Sequence, residues 1–272
     1  MVYTQKQWQS LSQSLADIYG DAVVVKFAMR YGQPSIAGAV EEMQQEGVRQ
    51  LLVLPLYPQY SAATTASTFD AIADDFTRRR WLPDLRFISH YHDYASYIDA
   101  LANSVQAYWD EHGRADQLIM SYHGVPLRYL KNGDPYYCEC YKTSRLLAER
   151  LGLSKEEYMT TFQSRFGREE WLKPYTDETL KGLPAKGVKS VQIICPGFSA
   201  DFLETIEEIG EENREYFMEA GGEKYQYIEA LNASAEHIQV LTSLVQRNLQ
   251  GWDLPVSDAG AIAQQHYETL ES

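Results

Sequence analysis

The chain has 272 residues, of which 44% are hydrophobic, and a formal net charge of −14. This length and composition fit one or two globular domains and exclude wholesale disorder, while the acidic balance argues against nonspecific binding to nucleic acid or to an anionic membrane. No apolar run approaches the roughly 18–20 residues of a membrane-spanning helix, and the N-terminus lacks the apolar core of a signal peptide. We therefore expect a cytoplasmic globular protein.

Short β-branched segments alternate along the chain with segments of helical periodicity. The predicted strands cover residues 22–29, 50–54, 85–90, 117–121, 159–163, 188–195 and 225–230. The predicted helices cover residues 4–18, 34–47, 63–79, 97–113, 142–151, 176–187 and 236–248. Such alternation predicts an α/β fold with parallel sheets and crossover helices.

The predicted strands fall into two groups, which suggests two α/β domains. We predict an N-terminal domain over residues 1–114, a C-terminal domain over 115–250 whose last helix packs back on the first, and a loosely attached tail over 251–272. The first group has one strand fewer than the second. If the two halves are equivalent, the first domain lacks its first strand, which would precede Met1.

A strongly acidic helix is predicted after the strand that ends at Cys195. Pro196 and Gly197 break the chain, and Ser199 or Asp201 can cap the helix that follows. At about 100° per residue, one face of this helix is acidic and carries Glu204, Glu207, Glu208, Glu211, Glu212 and Glu215. The opposite face is apolar and carries Phe202, Ile206, Ile209 and Phe217.

Two interpretations of the acidic face are open. The commoner one is an ordinary solvated helix face, but like charges at i,i+4 each cost about 0.2–0.5 kcal/mol and the face begins where open α/β sheets bind ligands. The other is a path for a divalent cation. Glu204, Glu208 and Glu212 would then form a row of oxygen ligands, with steps of about 6 Å.

His123 directly follows a predicted buried strand. An imidazole at the carboxyl end of a strand can accept a proton or bind a metal near neutral pH, although a lone histidine there is more often a structural residue hydrogen-bonded to its loop. His90 and His92 are a second candidate metal-binding pair, but two histidines two residues apart in one loop are only a weak indication of a metal site.

Two loops have the chemistry of a binding cleft for a flat ligand with carboxylate groups. Tyr57, Tyr60 and Ser61 bring rings and hydroxyls to the end of a strand, unless the loop is an ordinary proline turn. Arg165 and Trp171 bring a guanidinium group and a large ring, unless they are surface charge and packing.

The three cysteines, Cys138, Cys140 and Cys195, form neither an even disulfide set nor a CxxC pair. We expect reduced thiols. A four-ligand metal or cluster site would need one ligand more.

Six stretches along the chain resemble the ferrochelatases, the terminal enzymes of haem synthesis. They are LPLYPQYS, SYHGVP, NGDPYY, TFQSRFGREEWLKPYTDETL, CPGFSADFLETIEEI and EALNAS, in family order from Leu54 to Ser234. The resemblance implies two flavodoxin-like domains facing a cleft that holds protoporphyrin IX, into which ferrous iron is inserted with release of two protons. It makes His123 and Glu204 the metal-handling pair.

The resemblance also implies roles for the neighbouring residues. His123 and Glu204 would approach the centre of a distorted ring, one accepting pyrrole protons and the other helping to deliver Fe²⁺, with the assignment between them open. Glu208, Glu212 and Asp201 would form an acidic relay. The loop residues already described would bind the porphyrin: Tyr57, Tyr60, Ser61, Arg165 and Trp171.

The sequence departs from the family pattern at both ends. The N-terminal segment of ferrochelatases, with a first strand, an NLGTP-like turn and a porphyrin-covering lip, does not occur here, in agreement with the strand expected before Met1. We expect either a start site set too far downstream or a truncated product of reduced activity. The C-terminal cysteine cluster is also absent, so we expect no iron–sulfur centre and no tightly bound cofactor, with Fe²⁺ only as substrate.

Two alternatives stay open beside the ferrochelatase interpretation. One is a related chelatase that inserts cobalt or nickel into a different tetrapyrrole, and the other is a catalytically impaired tetrapyrrole binder. The expected partners are protoporphyrin IX and ferrous iron, with no nucleic acid. A monomer and a homodimer are both compatible with the sequence, as is contact with the periphery of the inner membrane, although no strongly basic amphipathic helix supports that contact.

Overall fold

A computed structural model describes residues 2–252 of the chain. The predicted tail over 251–272 therefore lies outside the described residues, apart from Gly251 and Trp252. The described part contains nine α-helices: α1 (Val2–Tyr19), α2 (Ile36–Gln45), α3 (Ser67–Phe76), α4 (Ala95–His112), α5 (Leu127–Lys131), α6 (Tyr136–Leu151), α7 (Thr176–Gly182), α8 (Asn213–Glu219) and α9 (Ala235–Leu249).

The same part of the chain contains six strands: β1 (Gln50–Val53), β2 (Asp84–Phe87), β3 (Gln117–His123), β4 (Tyr158–Gln163), β5 (Ser190–Ile194) and β6 (Lys224–Ile228). Two segments, Ala62–Ala66 and Glu204–Glu212, are π-helical, and Gly20–Ala22 and Pro184–Lys186 form 3₁₀ turns. All described strand pairs are parallel, which confirms the predicted α/β class.

The chain forms two compact units, each assembled from separate segments. Within the described residues, the first comprises residues 2–54, Ser67–Ile88 and residues 238–252, and the second comprises Pro55–Ala66 and Ser89–His237. Because both units are discontinuous in sequence, they give no single chain position to compare with the predicted boundary after residue 114. That boundary stays a prediction.

The first unit contains a two-stranded parallel sheet, in which Gln50 of β1 pairs with Asp84 of β2. The strand predicted over 22–29 is wrong. The carbonyl of Val25 accepts a hydrogen bond from Trp8 Nε1 at 2.8 Å, and Met29 forms only an isolated bridge. An apolar run forms a strand only where a neighbouring strand makes hydrogen bonds with its backbone N–H and C=O groups. Here the Trp8 side chain occupies one of these groups, the Val25 carbonyl.

The second unit contains a four-stranded parallel sheet with the order β4-β3-β5-β6, and its four strands are those predicted for the second half of the chain. From β3 the chain continues to β4 on one side, whereas β5 lies on the other side of β3. The order therefore reverses between β3 and β5. Open α/β sheets bind ligands outside the carboxyl ends of the strands at such a point.

One face of this sheet buries an apolar core. Val191, Ile193 and Cys195 alternate along and after β5 and pack in one cluster with Ile209 and Phe217 from the acidic segment. These contacts place the acidic segment against the sheet with its glutamates directed away from the core.

The opposite face of β5 carries Gln192, whose amide oxygen accepts a hydrogen bond from Trp109 Nε1 of α4 at 2.7 Å. Its amide nitrogen donates to the carbonyl of Gly113 at 2.8 Å. Helices therefore cover both faces of the sheet. None of the described helices is long and apolar enough to cross a membrane.

Candidate active site

His123 is the last residue of β3, paired in register with Gln163 at the end of β4. Its Nδ1 lies 2.7 Å from the carbonyl oxygen of Gly124. Because a carbonyl oxygen only accepts hydrogen bonds, Nδ1 is the donor in this contact, and Nε2 is the ring nitrogen left for other partners. The backbone carbonyl of His123 accepts a hydrogen bond from the Tyr136 hydroxyl at 2.9 Å, which fixes this end of the strand to α6.

Gly124 allows the chain after His123 to pass close to the neighbouring strand. Its N–H donates to the carbonyl of Gln163 at 2.8 Å, and a Cβ at this position would lie 2.8 Å from that same oxygen. The ring of Trp171 lies 3.2 Å from the Cβ position on another side. Trp171 is thus buried against the loop that carries the histidine, and it packs on Phe166 with ring centroids 5.0 Å apart.

Within the acidic segment, residues 201–219, the stretch Glu204–Glu212 departs from α-helical geometry. At the end of this stretch the N–H of Asn213 donates to the carbonyl of Glu208, five residues back, as in a π-helix. The buried positions recur every four residues: Asp201, Thr205, Ile209, Asn213 and Phe217. A repeat of four fits a helix with more than 3.6 residues per turn.

The predicted apolar face of this segment is only half right. Ile209 and Phe217 are buried, but Phe202 and Ile206 are 41% and 46% exposed. The predicted face assumed an α-helix of about 100° per residue from Phe202 onward. Phe202 instead precedes the helix, and the wider π-helix turns Ile206 out of the core. The glutamates of the predicted acidic face are all exposed or only partly buried.

Within the acidic row, Glu208 differs from its neighbours. One carboxylate oxygen accepts a hydrogen bond from the backbone N–H of Ser164 at 2.7 Å, and the other accepts from the Ser164 hydroxyl. Ser164 directly follows β4, so Glu208 is fixed next to the strand that pairs with His123. Glu204 and Glu212, one step before and after, are exposed. The row thus has one carboxylate fixed by hydrogen bonds between two exposed ones.

Asp201 is buried at the start of the segment. Its carboxylate accepts hydrogen bonds from Tyr227 at 2.6 Å, from Asn232 at 2.7 Å and from Thr205 at 3.0 Å. These bonds join the start of the acidic segment to β6 and to the chain after it. No described side chain caps the π-helix that follows, whose N-cap residue is Leu203, so the cap predicted at Ser199 or Asp201 is wrong. The relay role of Asp201 stays a prediction.

The loop over Pro55–Ala66 is held by acidic side chains of the chain near α6. The N–H of Tyr60 donates to Glu139 at 2.7 Å, and the Ser61 hydroxyl donates to Asp134 at 3.1 Å. Tyr57 is 38% exposed, whereas Ser61 is buried. Tyr60 is partly buried, so of the two predicted tyrosines Tyr57 is the more exposed.

Arg165 lies in the loop after β4 and is bound by carboxylates of the chain itself. Its guanidinium pairs with Glu178 at 2.9 Å and with Asp177 at 3.3 Å, and it stacks over the ring of Tyr175 at 4.0 Å. An anionic ligand would have to compete with these two carboxylates. The porphyrin-binding role predicted for Arg165, as for the loop tyrosines and Trp171, stays a prediction.

Comparison with known proteins decides the family. The family model described as ferrochelatase matches residues 1–249. The chain belongs to the ferrochelatase family. The ferrochelatase of Idiomarina loihiensis is 68% identical over 254 residues, which are 93% of this chain and 70% of the relative. That of Marinobacter nauticus is 67% identical over 264 residues, 97% of this chain and 71% of the relative. The predicted membership is confirmed.

A solved structure supports the fold of this ferrochelatase family member. SirB from Bacillus subtilis with Fe³⁺ superposes with a TM-score of 0.62 at 11% identity, covering 93% of this chain and 94% of SirB. The sirohydrochlorin chelatase SirB from Bacillus subtilis subspecies spizizenii, in complex with cobalt, gives a TM-score of 0.58 at 12% identity, covering 92% and 93%. The likeness concerns the fold alone.

Several contacts of this site could not be read from the ferrochelatase-like motifs. Ser164, Tyr136 and Glu139 were not singled out, because their roles depend on partners 44, 13 and 79 residues away. All three do lie in or beside the quoted motifs, which is the signal that could have found them.

The cysteines are free thiols, as predicted, and burial raises the pKa of the thiols of Cys140 and Cys195.

Proposed function

We propose that this chain inserts ferrous iron into protoporphyrin IX, giving protohaem and two protons. Its membership of the ferrochelatase family, at up to 68% identity to named ferrochelatases, supports this reaction over insertion of cobalt or nickel into another tetrapyrrole. The enzyme is then a metal chelatase, a lyase whose substrates are a porphyrin and a metal ion.

The observation that carries the assignment to this site is the placement of two strand ends. β3 and β5 are hydrogen-bonded neighbours on either side of the point where the strand order reverses. His123 ends β3, and the acidic segment follows β5. The residues proposed to handle protons and metal are therefore those that the topology brings to the expected ligand-binding edge.

His123 supplies the base in this proposal. A porphyrin must lose two pyrrole protons to take up a divalent metal, so the site needs a group that accepts a proton near neutral pH. An imidazole is such a group, and the hydrogen bond from Nδ1 of His123 to the carbonyl of Gly124 leaves Nε2 as the nitrogen that can accept the proton.

In this proposal the glutamates transfer protons or Fe²⁺ between His123 and the surrounding solvent. Glu204, exposed at the start of the π-helix, would bind incoming Fe²⁺ or take up a released proton, since carboxylate oxygens are ligands for hard and borderline cations. Glu208 and Glu212 extend the row one step at a time along the segment. Glu208, fixed by Ser164, gives the row a carboxylate of constant position.

We further propose a cytoplasmic location. Three free thiols suit a reducing compartment. Contact with the inner membrane and the choice between monomer and homodimer stay predictions, to be tested by vesicle sedimentation and by mass measurement in solution.

The reaction is tested by anaerobic insertion of Fe²⁺ into protoporphyrin IX, followed by absorbance. Turnover should be lost, by about 10²–10⁴-fold for removal of a general base, in His123→Ala and strongly reduced in Glu204→Ala. His112→Ala and Glu211→Ala are matched controls, because each removes the same chemical group at an exposed position outside the site. Equal turnover in His123→Ala and His112→Ala would contradict the assignment.

A further inference from the structure

A second group of candidate metal ligands lies outside the residues assigned above. His90 and His92 follow β2 in the chain, and Glu139 lies in the first turn of α6. One ligand atom from each of the three lies within 4.8 Å of the others. Among the described residues, no other group of three His, Cys, Asp or Glu side chains meets that condition.

Glu139 is the centre of this group. Its Oε1 lies 2.7 Å from His90 Nδ1, and its Oε2 accepts the hydrogen bond from the N–H of Tyr60. The carboxylate is nearly buried and faces both imidazole rings, so the group offers oxygen ligands in a largely buried position.

His92 is buried, and its Nδ1 is not satisfied. This atom lies 3.2 Å from Glu139 Oε2, but the approach is outside hydrogen-bond geometry, and Nδ1 has no hydrogen-bond partner among the described residues. Buried polar atoms normally make hydrogen bonds, so a buried imidazole nitrogen that faces a carboxylate without one calls for an explanation such as an ion. A metal between the imidazole and the carboxylate would give Nδ1 the partner it lacks.

The surroundings of His92 also suit a metal ligand. Its other ring nitrogen, Nε2, lies 4.0 Å from a carboxylate oxygen of Asp93, and that carboxylate is held by Lys142 at 2.6 Å. Histidines that bind metals commonly turn their second nitrogen toward a carboxylate, which orients the ring. The backbone is fixed as well, because Thr143 donates to the carbonyl of His92 at 2.9 Å.

The third ligand, His90, opens the group to solvent. Its side chain is 48% exposed, whereas those of His92 and Glu139 are nearly buried. Two imidazole nitrogens and one carboxylate oxygen with a position left for water is a ligand set that Zn²⁺ uses in proteins. A purely structural role, in which Glu139 only ties the two histidines to α6, would need no metal.

We propose that His90, His92 and Glu139 bind a divalent transition-metal ion, with Zn²⁺ the best fit, at a site that shares no residue with His123 and Glu204. The ion is held by one exposed and two buried ligands, so it exchanges with solvent through the His90 side. The proposal rests on these contacts and is independent of iron insertion.

The test uses the full chain carrying His123→Ala and Glu204→Ala, so that the proposed iron-handling pair does not contribute. Zn²⁺ alone is titrated by calorimetry, and thermal unfolding is followed with and without Zn²⁺. We expect one Zn²⁺ per chain and a Zn²⁺-dependent rise in Tm. Adding His90→Ala should weaken binding by at least about tenfold, whereas adding His112→Ala should not.

His90→Ala is the decisive change, because the half-exposed side chain can be removed without opening the core. Its Tm without metal should match that of the background protein, which separates lost metal binding from misfolding. Glu139→Gln and His92→Ala should abolish binding in any variant that folds. Absence of Zn²⁺ binding in the background protein, or equal affinity after His90→Ala, would overturn the proposal whatever the result of the iron-insertion assay.

Discussion

The carboxylate of Glu208 accepts hydrogen bonds from both the backbone N–H and the hydroxyl of Ser164. Ser164 adopts a left-handed backbone conformation, with φ of 64°, immediately after β4. One carboxylate of the acidic row is thereby attached to the strand that pairs with the His123 strand. The row and the proposed base belong to one framework within the second unit, rather than to two independent surface features.

This attachment predicts a functional role for Glu208 that the exposed Glu211 of the same π-helix lacks. Glu208→Gln keeps the shape and the bond from the Ser164 N–H but removes the charge. We expect turnover of iron insertion to fall by about tenfold, with the KM for porphyrin nearly unchanged, because a relay residue acts on proton or metal transfer rather than on porphyrin binding.

Glu211→Gln is the control for this change, since Glu211 is exposed on the same π-helix. It should leave turnover within about twofold. Equal kinetics in the two variants would show that the acidic face is only a solvated surface, the first of the two interpretations that the sequence leaves open.

The close approach at Gly124 gives a prediction for stability and activity together. In Gly124→Ala the new methyl group would lie 2.8 Å from the backbone oxygen of Gln163, which cannot move aside as a flexible side chain would. We expect the free energy of unfolding to fall by about 1–3 kcal/mol, and turnover to fall because His123 is displaced.

Gly182→Ala is a matched control for the glycine prediction. Gly182 ends α7, and a Cβ there meets no atom within 4 Å. This variant should be as stable as the original chain or up to about 1 kcal/mol more stable. Chemical denaturation of both variants, with iron insertion measured beside it, checks the pair, and a Gly124→Ala chain of unchanged stability and turnover would contradict it.

Because His237 is buried, we expect the free energy of unfolding to depend on pH. Burial lowers the pKa of His237, against a smaller raising effect from its hydrogen bond to the Asn232 carbonyl. The folded chain therefore binds fewer protons than the unfolded chain below the ordinary histidine pKa of about 6.5. The contribution of His237 to the free energy of unfolding is then fully present above about pH 6.5. It falls on acidification, by at most about 1.4 kcal/mol per pH unit.

The measurement is urea unfolding at pH 7.5, 6.5 and 5.5 for the original chain and for His237→Gln. The variant should lose less stability between pH 6.5 and 5.5, because it has no group to protonate. His112→Gln, at an exposed position, should follow the original chain. Identical slopes for the original chain and His237→Gln would exclude His237 as a source of acid sensitivity.

Much of the second unit could be predicted from the sequence, because its strands are short apolar runs that pair with their neighbours. The strand over 22–29 could not, since the same kind of run forms a ladder only where another strand lies beside it. His123 was found because it ends a strand. Ser164 and Glu139 were not, because their partners lie far away in sequence and only the folded topology brings them together.

The acidic segment shows a further limit of prediction from sequence, which concerns the side chains that face the core. Its glutamates were placed correctly on the outside, but the apolar side was placed with an α-helical period, and the π-helix changes that period after the first turn. Ile206 and Ile209 were expected on the same buried face, whereas the structure buries only Ile209.

These two isoleucines provide the last prediction. Ile209→Ala should lower the free energy of unfolding by about 2–5 kcal/mol, since Ile209 is fully buried in the core beside β5. Ile206→Ala makes the same chemical change three residues earlier, where the side chain is 46% exposed, and should stay within about 0.5 kcal/mol of the original chain. An α-helix with the predicted face would make the two costs similar. Denaturant unfolding of the two variants therefore separates the geometries, and similar losses in both would show that this segment is an ordinary α-helix in solution.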